Sequence, residues 1–242
     1  MVLAGIALVV LIPILAGVLT GVLLILAVVF VLLLFIVPLA LLFRGVFHRT
    51  VKGSGVKETE SRRPEPFSSL SVSGKVRARV LCGRPREVSV TTDDNLLQYL
   101  DTRVKNGELS VGFNRPVSSG SGVELEVSVQ ELKGLTISGA AEVFISDVAS
   151  DELSIGVGGT AEVRASGKAD TLRLKISGAG KIYASELAAD KASVRITGAG
   201  RVELRAEKEL TVRISGAGSV SCAGQPEKVT KHITGAGRVT LV

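Results

Sequence analysis

Carboxylate side chains have the clearest potential for chemistry, because hydrolysis of a glycosidic bond needs two of them converging across a cleft. Glu142 and Glu162 occupy equivalent positions in two successive repeats, and no third acid continues the pair. Asp93 and Asp94 lie in a stretch whose composition predicts a turn. Because the acids are scattered and form no catalytic constellation, we expect no enzyme. A carbohydrate-active enzyme is the last of three functional hypotheses.

Glycines, histidines and cysteines could also build sites, but their arrangement favours structural roles. The glycine-containing repeats lack the helix that a dinucleotide site requires. His48 and His232 are two lone histidines, which do not make a metal site. Cys82 and Cys222 lie 140 residues apart and are expected to be buried thiols, although the sequence leaves a disulfide open. We expect neither a cofactor nor a metal ion.

Cations at two outward positions of successive repeats are the most promising surface. Like charges ~4.8 Å apart repel by roughly 0.9 kcal/mol even in water. One interpretation is an ordinary solvated face, and the other is contact with an anionic glycan or lipid headgroups. The seven residues are Lys175, Arg195, Arg213 and His232 at one position, and Lys181, Arg201 and Arg238 at the other.

The net charge of +6 over 242 residues comes mostly from one short stretch. Residues 44–63 carry six cations and two acids, whereas residues 64–242 carry 23 cations and 21 acids. A nucleic-acid surface would interleave basic residues with stacking aromatic side chains. The aromatic residues of the polar part are few and scattered, so we expect no nucleic-acid partner.

The polar part of the chain is built from repeats of about 19 residues. Units such as ISGAGKI (176–182) and ITGAGRV (196–202) recur, and six unit starts are separated by 20, 19, 20, 18 and 19 residues. Apolar residues alternate with polar ones, as in Leu172, Leu174 and Ile176, which is the periodicity of strands. The units are too short for a crossover helix, so we predict an all-β solenoid, a parallel β-helix.

Stacking of successive coils places equivalent residues over one another. Two interior rows of β-branched residues are predicted, one running from Ile137 to Ile233 and the other from Val143 to Val239. A row of glycines should lie where each coil bends, either with positive φ or at a close approach of backbones. These glycines are Gly139, Gly159, Gly178, Gly198, Gly216 and Gly235.

Residues 67–133 are predicted to form earlier and less regular coils. Candidate strands cover 69–80, 86–92, 108–113 and 123–129, and loops are expected at 93–101 and 114–122. At the other end, Lys231 occupies a position that is apolar in neighbouring coils. We interpret Lys231 as part of an end cap that discourages further stacking.

Residues 1–43 contain no Asp, Glu, Lys, Arg or His and predict a retained membrane anchor. As one helix the segment would reach roughly 63 Å, about twice the thickness of the bilayer core. A helical hairpin with spans near 2–19 and 22–43 is preferred, since lipid offers the backbone no partner outside a helix. One long helix, tilted or kinked at Pro13 or Pro38, is the alternative. Either would be a transmembrane helical segment.

Three regions are therefore predicted. Residues 1–43 form the anchor, residues 44–66 form a basic linker rich in Gly, Ser and Pro, and residues 67–242 form the β-helix. Because the cations flank the C-terminal end of the anchor, the positive-inside rule favours a cytoplasmic β-helix.

The repeats resemble the head GIN domain family of auto-transporter adhesins of bacteria. The resemblance rests on the S/T-G-A-G repeats, the opening PFSSLSVSG, the segment NLLQYLDTRVKNGELSV and the closing GQPEKVTKHITGAGRV. It covers roughly residues 66–242 and implies a right-handed parallel β-helix in the cell envelope, with no known catalytic residue. The sequence ends at Val242 without a translocator domain, so secretion through a pore of its own is not expected.

Three functions are weighed. The first is a non-enzymatic, membrane-anchored module of the bacterial envelope, with an adhesin-like or structural role at the cytoplasmic membrane. The second is a cytoplasmic scaffold that polymerises by end-to-end stacking of coils, resembling bactofilins, and the positive flank at 44–63 favours it. The third is a carbohydrate-active enzyme. The side of the membrane, the ligand and the oligomeric state stay open.

Overall fold

The computed structural model describes residues 29–32, 34 and 50–242. The chain divides into two compact units, Met1–Arg49 and Thr50–Val242. Residues 29–32 and 34 are helical, and the rest of the predicted anchor lies outside the described residues. No helix in the described ranges is both long enough and apolar enough to cross a bilayer.

Residues 50–242 form strands joined by short turns, with one 3₁₀ helix, η1 (Asp94–Tyr99). The early strands are β1 (Val51–Lys52), β2 (Lys57–Arg62), β3 (Ser69–Val72), β4 (Lys75–Cys82), β5 (Glu87–Asp93), β6 (Leu100–Lys105), β7 (Glu108–Phe113), β8 (Val117–Ser118) and β9 (Val123–Val129). The later strands are β10 (Gly134–Ile137), β11 (Ala140–Val157), β12 (Thr160–Ile176), β13 (Ala179–Ile196), β14 (Ala199–Ile214), β15 (Ala217–Ala223), β16 (Lys228–Ile233) and β17 (Arg238–Leu241).

Parallel pairing of successive strands confirms the predicted all-β parallel β-helix, which makes about five turns. Strands β11 to β14 each run almost through a whole coil, bending at bulges such as the one between Ile145 and Val148. Each pairs in parallel with the strand one coil later. The repeat length therefore equals one turn of the solenoid, as the sequence predicts.

The two predicted interior rows are present. Ile137, Val157, Ile176, Ile196, Ile214 and Ile233 lie in successive register. Val143, Val163, Ile182, Val202, Val220 and Val239 do the same. Those in the middle coils are almost fully buried in one continuous core. The alternation of apolar and polar residues thus sends one face of each strand inward.

The predicted glycine row marks a close approach of backbones at the bend of each coil. A Cβ atom on Gly159, Gly178 or Gly198 would overlap the carbonyl oxygen of the glycine one coil earlier. Of the six predicted glycines, only Gly235 has a positive φ. Close stacking, rather than left-handed backbone, is therefore what requires glycine at most of these positions.

At the N-terminal end of the solenoid, antiparallel strands surround the 3₁₀ helix η1, whose Leu96 and Leu97 are buried. Strand β2 pairs with β5, β5 with β9, and β6 with β7, all antiparallel. The prediction of a linker over 44–66 and of a loop over 93–101 is corrected here, because β2, η1 and the start of β6 lie in those ranges. Arg62 explains part of the difference, since its guanidinium donates to the Leu100 carbonyl (2.6 Å) and Thr102 Oγ1 (2.9 Å). The alternation signal was weak in β2, whose residues are nearly all exposed.

The C-terminal end is open. Strand β16 pairs with β14 and β17 with β15, and within residues 50–242 no later strand covers them. Ile233 and Leu241, inward positions in earlier coils, are 41% and 45% exposed. Lys231 stands in register with buried Val212 and is exposed, so the last coil has a charge where the coil before it has a buried apolar side chain.

Both cysteines are free and buried, one in an early strand and the other in a late one. Burial, together with the nearby charge of Asp147, raises the pKa of the Cys82 thiol to about 11. Burial also raises the pKa of Cys222 above its ordinary value. Thiols of this kind stay protonated at neutral pH and are poor nucleophiles.

Candidate functional site: an open groove with a cationic bank

An open groove of about 1080 Å³ runs along the solenoid just after the glycine bend. Its floor carries small side chains in six successive coils, and its bank carries charged ones. The exposed floor positions are Ala140, Thr160, Ala179, Ala199, Ala217 and Ala236. Six coils at ~4.8 Å make the floor roughly 29 Å long.

The next residue of each coil is also small, for a packing reason. A Cβ atom on Gly200 would come within 2.9 Å of the Ile176 Cδ1 atom, and one on Gly218 within 3.0 Å of Ile196 Cδ1. Glycine there lets the isoleucine row pack tightly beneath the floor. The alanines at the floor positions, by contrast, are exposed, so packing in the interior does not restrict the size of the side chain there.

The bank of the groove changes sign along its length. Arg77, Glu142, Glu162, Lys181, Arg201, Ser219 and Arg238 occupy this position in successive coils. At the N-terminal half the charges are paired: Arg77 Nε lies 2.9 Å from Glu142 Oε2, and Arg164 reaches Glu162 at 2.6 Å. At the C-terminal half, Lys181, Arg201 and Arg238, hereafter the bank row, have no carboxylate within 4.0 Å among the described residues.

The second predicted set of cations forms its own row before the glycine bend. Lys175, Arg195, Arg213 and His232, hereafter the outer row, lie in consecutive register. All four are exposed, and none forms a salt bridge within residues 50–242. The structure thus arranges the seven cations in two rows, of which only the bank row lines the groove.

The carboxylates do not form a hydrolytic pair. Glu142 and Glu162 are neighbours in register, but each is engaged by an arginine. Asp93 is buried at the end of β5, and Asp94 accepts a hydrogen bond from the Ser54 hydroxyl. Among the described residues, no group of three or more His, Cys, Asp or Glu side chains could hold a metal ion.

Sequence reasoning identified the bank row but missed the groove. The signal was present in the third residue of each S/T-G-A-G unit, which is Ala in all but one of the six repeats. From the sequence alone no role was assigned to that residue, and the structure shows that it is exposed to solvent.

Comparisons with known proteins agree with this architecture. The family model described as "Putative auto-transporter adhesin, head GIN domain" matches residues 66–226. No curated protein matches the chain.

Similar crystal structures include that of a putative adhesin from Bacteroides fragilis, with 19% identity and a TM-score of 0.63 over 79% of this chain and all of that one. One from Parabacteroides merdae, with the same description, shares 22% identity with a TM-score of 0.54, covering 80% and 99% of the two chains. One from Parabacteroides distasonis shares 20% identity with a TM-score of 0.52, covering 80% and 100%. At these identities the likeness shows the fold alone.

Proposed function

Because the chain belongs to the head GIN domain family, described as that of an auto-transporter adhesin, we propose that it is a non-enzymatic, adhesin-like module of the bacterial cell envelope. Its β-helix presents a cationic face to an anionic glycan or to lipid headgroups, and residues 1–43 anchor it in the cytoplasmic membrane. The apolar composition of that segment supports the anchor. The arginine-paired state of Glu142 and Glu162 supports a non-enzymatic role.

The single observation that carries the proposal is that six lysines and arginines, together with His232, stack in two rows with no carboxylate within 4.0 Å among the described residues. Other cations of residues 50–242, such as Arg84 and Arg86, also lack a salt bridge, so the stacking in register is what distinguishes the two rows. Stacked like charges repel one another unless an external anion offsets them. A field of unpaired cations also attracts an anionic ligand and raises its association rate.

The test is binding of the full chain to anionic vesicles and to anionic glycans. Arg195→Glu combined with Arg213→Glu should abolish binding, because it reverses two of the three lysine and arginine charges in the outer row. Arg84→Glu combined with Arg86→Glu is the matched control, since both arginines are exposed, lie away from the two rows and change the net charge equally. Equal binding by both double variants and the unaltered chain would exclude the outer row, and equal binding by Lys181→Glu combined with Arg201→Glu as well would refute the cationic face.

The side of the membrane is tested separately by protease digestion of intact cells. An adhesin-like role requires cleavage within residues 50–242 from outside. Protection of this region until the cells are lysed would instead favour a cytoplasmic location, as the positive flank at 44–63 predicts.

An end-to-end scaffold is the second candidate, and the open C-terminal end favours it. Strands β16 and β17 present unpaired edges beside exposed Ile233 and Leu241, which is the condition for further stacking. The antiparallel strands at the N-terminal end oppose continuous filaments, because a head-to-tail polymer needs two open ends. Filaments of the full chain in neutral detergent, seen in electron micrographs, would support the scaffold.

A further inference from the structure

We propose that the groove binds a linear anionic polysaccharide, extended along the solenoid axis, whose acidic groups contact the bank row. This inference rests on the proposed function and sharpens it, because it assigns one ligand class to one of the two cationic rows. The sugar rings lie on the alanine floor. Lys181, Arg201 and Arg238 provide the charge, and the Ser219 hydroxyl provides a hydrogen-bond donor between them.

The shape of the groove favours an extended polymer over a compact ligand. The floor is straight, because parallel strands stack its positions directly over one another. The four bank positions from Lys181 to Arg238 repeat every ~4.8 Å, a step close to the length of one sugar unit in an extended chain. A uronic acid polymer has one carboxylate per unit and can therefore place an acidic group near each coil.

The charge distribution fixes which half of the groove is occupied. In the N-terminal half, Glu142 and Glu162 face the groove and are already neutralised by Arg77 and Arg164. In the C-terminal half the bank row is exposed and unpaired within residues 50–242. An anionic chain meets three cations between Lys181 and Arg238, whereas beyond Lys181 the paired Glu162 and Glu142 separate it from the next cation without a carboxylate partner, Lys75.

The lining of the groove favours a glycan over a membrane or a nucleic acid. No aromatic side chain lines it, so bases have nothing on which to stack. Within residues 50–242 the large apolar side chains that are strongly exposed are Val56, Ile233, Leu241 and Val242, and none of these lines the groove. The groove therefore offers no apolar residue for insertion into a bilayer.

The first experiment measures fluorescence anisotropy of labelled oligogalacturonates of two to eight units with the full chain in micelles of neutral detergent. Affinity should rise with length up to about four units, the number of coils between Lys181 and Arg238, and then level off. Neutral oligogalactose of the same length should not bind. Equal binding of the neutral sugar, or tighter binding of oligothymidylate, would overturn the assignment to an anionic glycan.

The second experiment fills the floor without changing any charge. Ala199→Leu combined with Ala217→Leu should weaken tetragalacturonate binding by at least about tenfold, because the added side chains occupy the space of the sugar rings. Both alanines are exposed, so the fold should tolerate the change, and circular dichroism checks this. Ala149→Leu, at another exposed alanine outside the groove, is the matched control and should leave binding unchanged.

The third experiment extends the cationic bank. Glu162→Lys continues the row by one coil and should raise the affinity for chains of five or more units by about fivefold, with little effect on the trimer. Glu203→Lys adds the same charge outside the groove and should not reproduce the length dependence. An equal gain from both variants at every length would overturn the groove.

Failure of this inference and failure of the proposed function give different results. If the floor variant keeps full tetragalacturonate binding while Arg195→Glu/Arg213→Glu loses it, the groove is wrong and the cationic face stands. If the unaltered chain binds phosphatidylglycerol vesicles but no oligogalacturonate, the ligand is a lipid surface and the inference is wrong. If it binds neither, both fail.

Discussion

The two ends of this solenoid differ in how their strands pair and in how much of the core they leave exposed. In the N-terminal coils, antiparallel strands β2, β5 and β6 interrupt the parallel stack, and the 3₁₀ helix η1 buries Leu96 and Leu97. In the C-terminal coils every pairing is parallel, and the last coil leaves Ile233 and Leu241 exposed. A stacked fold needs a cap only where its core would otherwise meet water. The closed end therefore serves stability, and the open end costs it.

Surface charge differs between the same two regions. Around the early coils, ion pairs join different strands: Arg79 lies 3.6 Å from Glu126 on the neighbouring strand, and Lys57 reaches across β5 to Glu124 at 2.7 Å. The hydrogen bond from the Lys57 ammonium holds the pKa of Glu124 below its usual range. In the later coils, the outer row and the bank row lack such partners among the described residues. Lys75 and Arg86 of the early coils also lack a carboxylate partner among the described residues, and Lys208 of a later coil has one. What distinguishes the two rows is that their like charges stack in register in successive coils.

The largest expected effect is a difference in stability between two variants in the same interior row, one in a middle coil and one at the open end. Ile176→Ala should lower the free energy of unfolding by about 4 kcal/mol, because it leaves a cavity in a fully buried position. Ile233→Ala, at the same position of the last coil, should cost less than about 1 kcal/mol, since the side chain is already 41% exposed. Urea denaturation of both variants measures the difference.

Equal losses for Ile176→Ala and Ile233→Ala would contradict the comparison, because they would show that something covers the open end in solution. Analytical ultracentrifugation of the unaltered chain would then show whether a second copy is responsible.

The second prediction concerns close stacking at the bend. Gly198→Ala should cost about 3 kcal/mol, because its Cβ atom would overlap the backbone carbonyl of Gly178, which cannot rotate away. Gly158→Ala is the matched control: its Cβ atom would lie 3.4 Å from the nearest atom, the Ile137 carbonyl oxygen. That change should be neutral or stabilise the fold by about 0.5 kcal/mol. A similar loss for both variants in thermal unfolding would show that the glycines act through chain flexibility instead.

The regular coils were predictable from the sequence because the same pattern of apolar residues and glycines recurs in each repeat. The rows ending at Ile233 and Val239, and the glycine row, follow from period two within a coil and period 19 between coils. The closing strands were not predictable in the same way. Strand β2 is exposed on both faces and has no alternation, and only its pairing with β5 and the hydrogen bonds of Arg62 place it. The groove was missed because it forms only when equivalent positions of several coils lie side by side, so no single repeat contains it.

The third prediction uses the buried thiol of the early coils. Because the pKa of Cys82 is about 11 in the folded chain and 9.0 ordinarily, the unfolded chain loses this proton first as pH rises. The stabilising contribution is therefore complete below about pH 9 and is lost between pH 9 and 11, by about 1 to 2 kcal/mol at pH 10.5. Urea denaturation from pH 7.5 to 10.5 should show the unaltered chain losing more stability than Cys82→Ala. Parallel curves for the two proteins would show that the thiol does not titrate as described.

The smallest expected effect on stability distinguishes an arginine in an ion pair from an arginine of the bank row. Arg77→Met should lower the stability by about 0.5 kcal/mol, because it removes an exposed ion pair with Glu142. Arg201→Met should leave the stability unchanged or raise it by a few tenths of a kcal/mol, because it relieves repulsion from Lys181 one coil away. Both differences should shrink in 1 M salt, where the screening length falls to about 3 Å. If Arg201→Met destabilises the chain as much as Arg77→Met does, the bank row is structural. The difference between the two halves of the groove would then not concern a ligand.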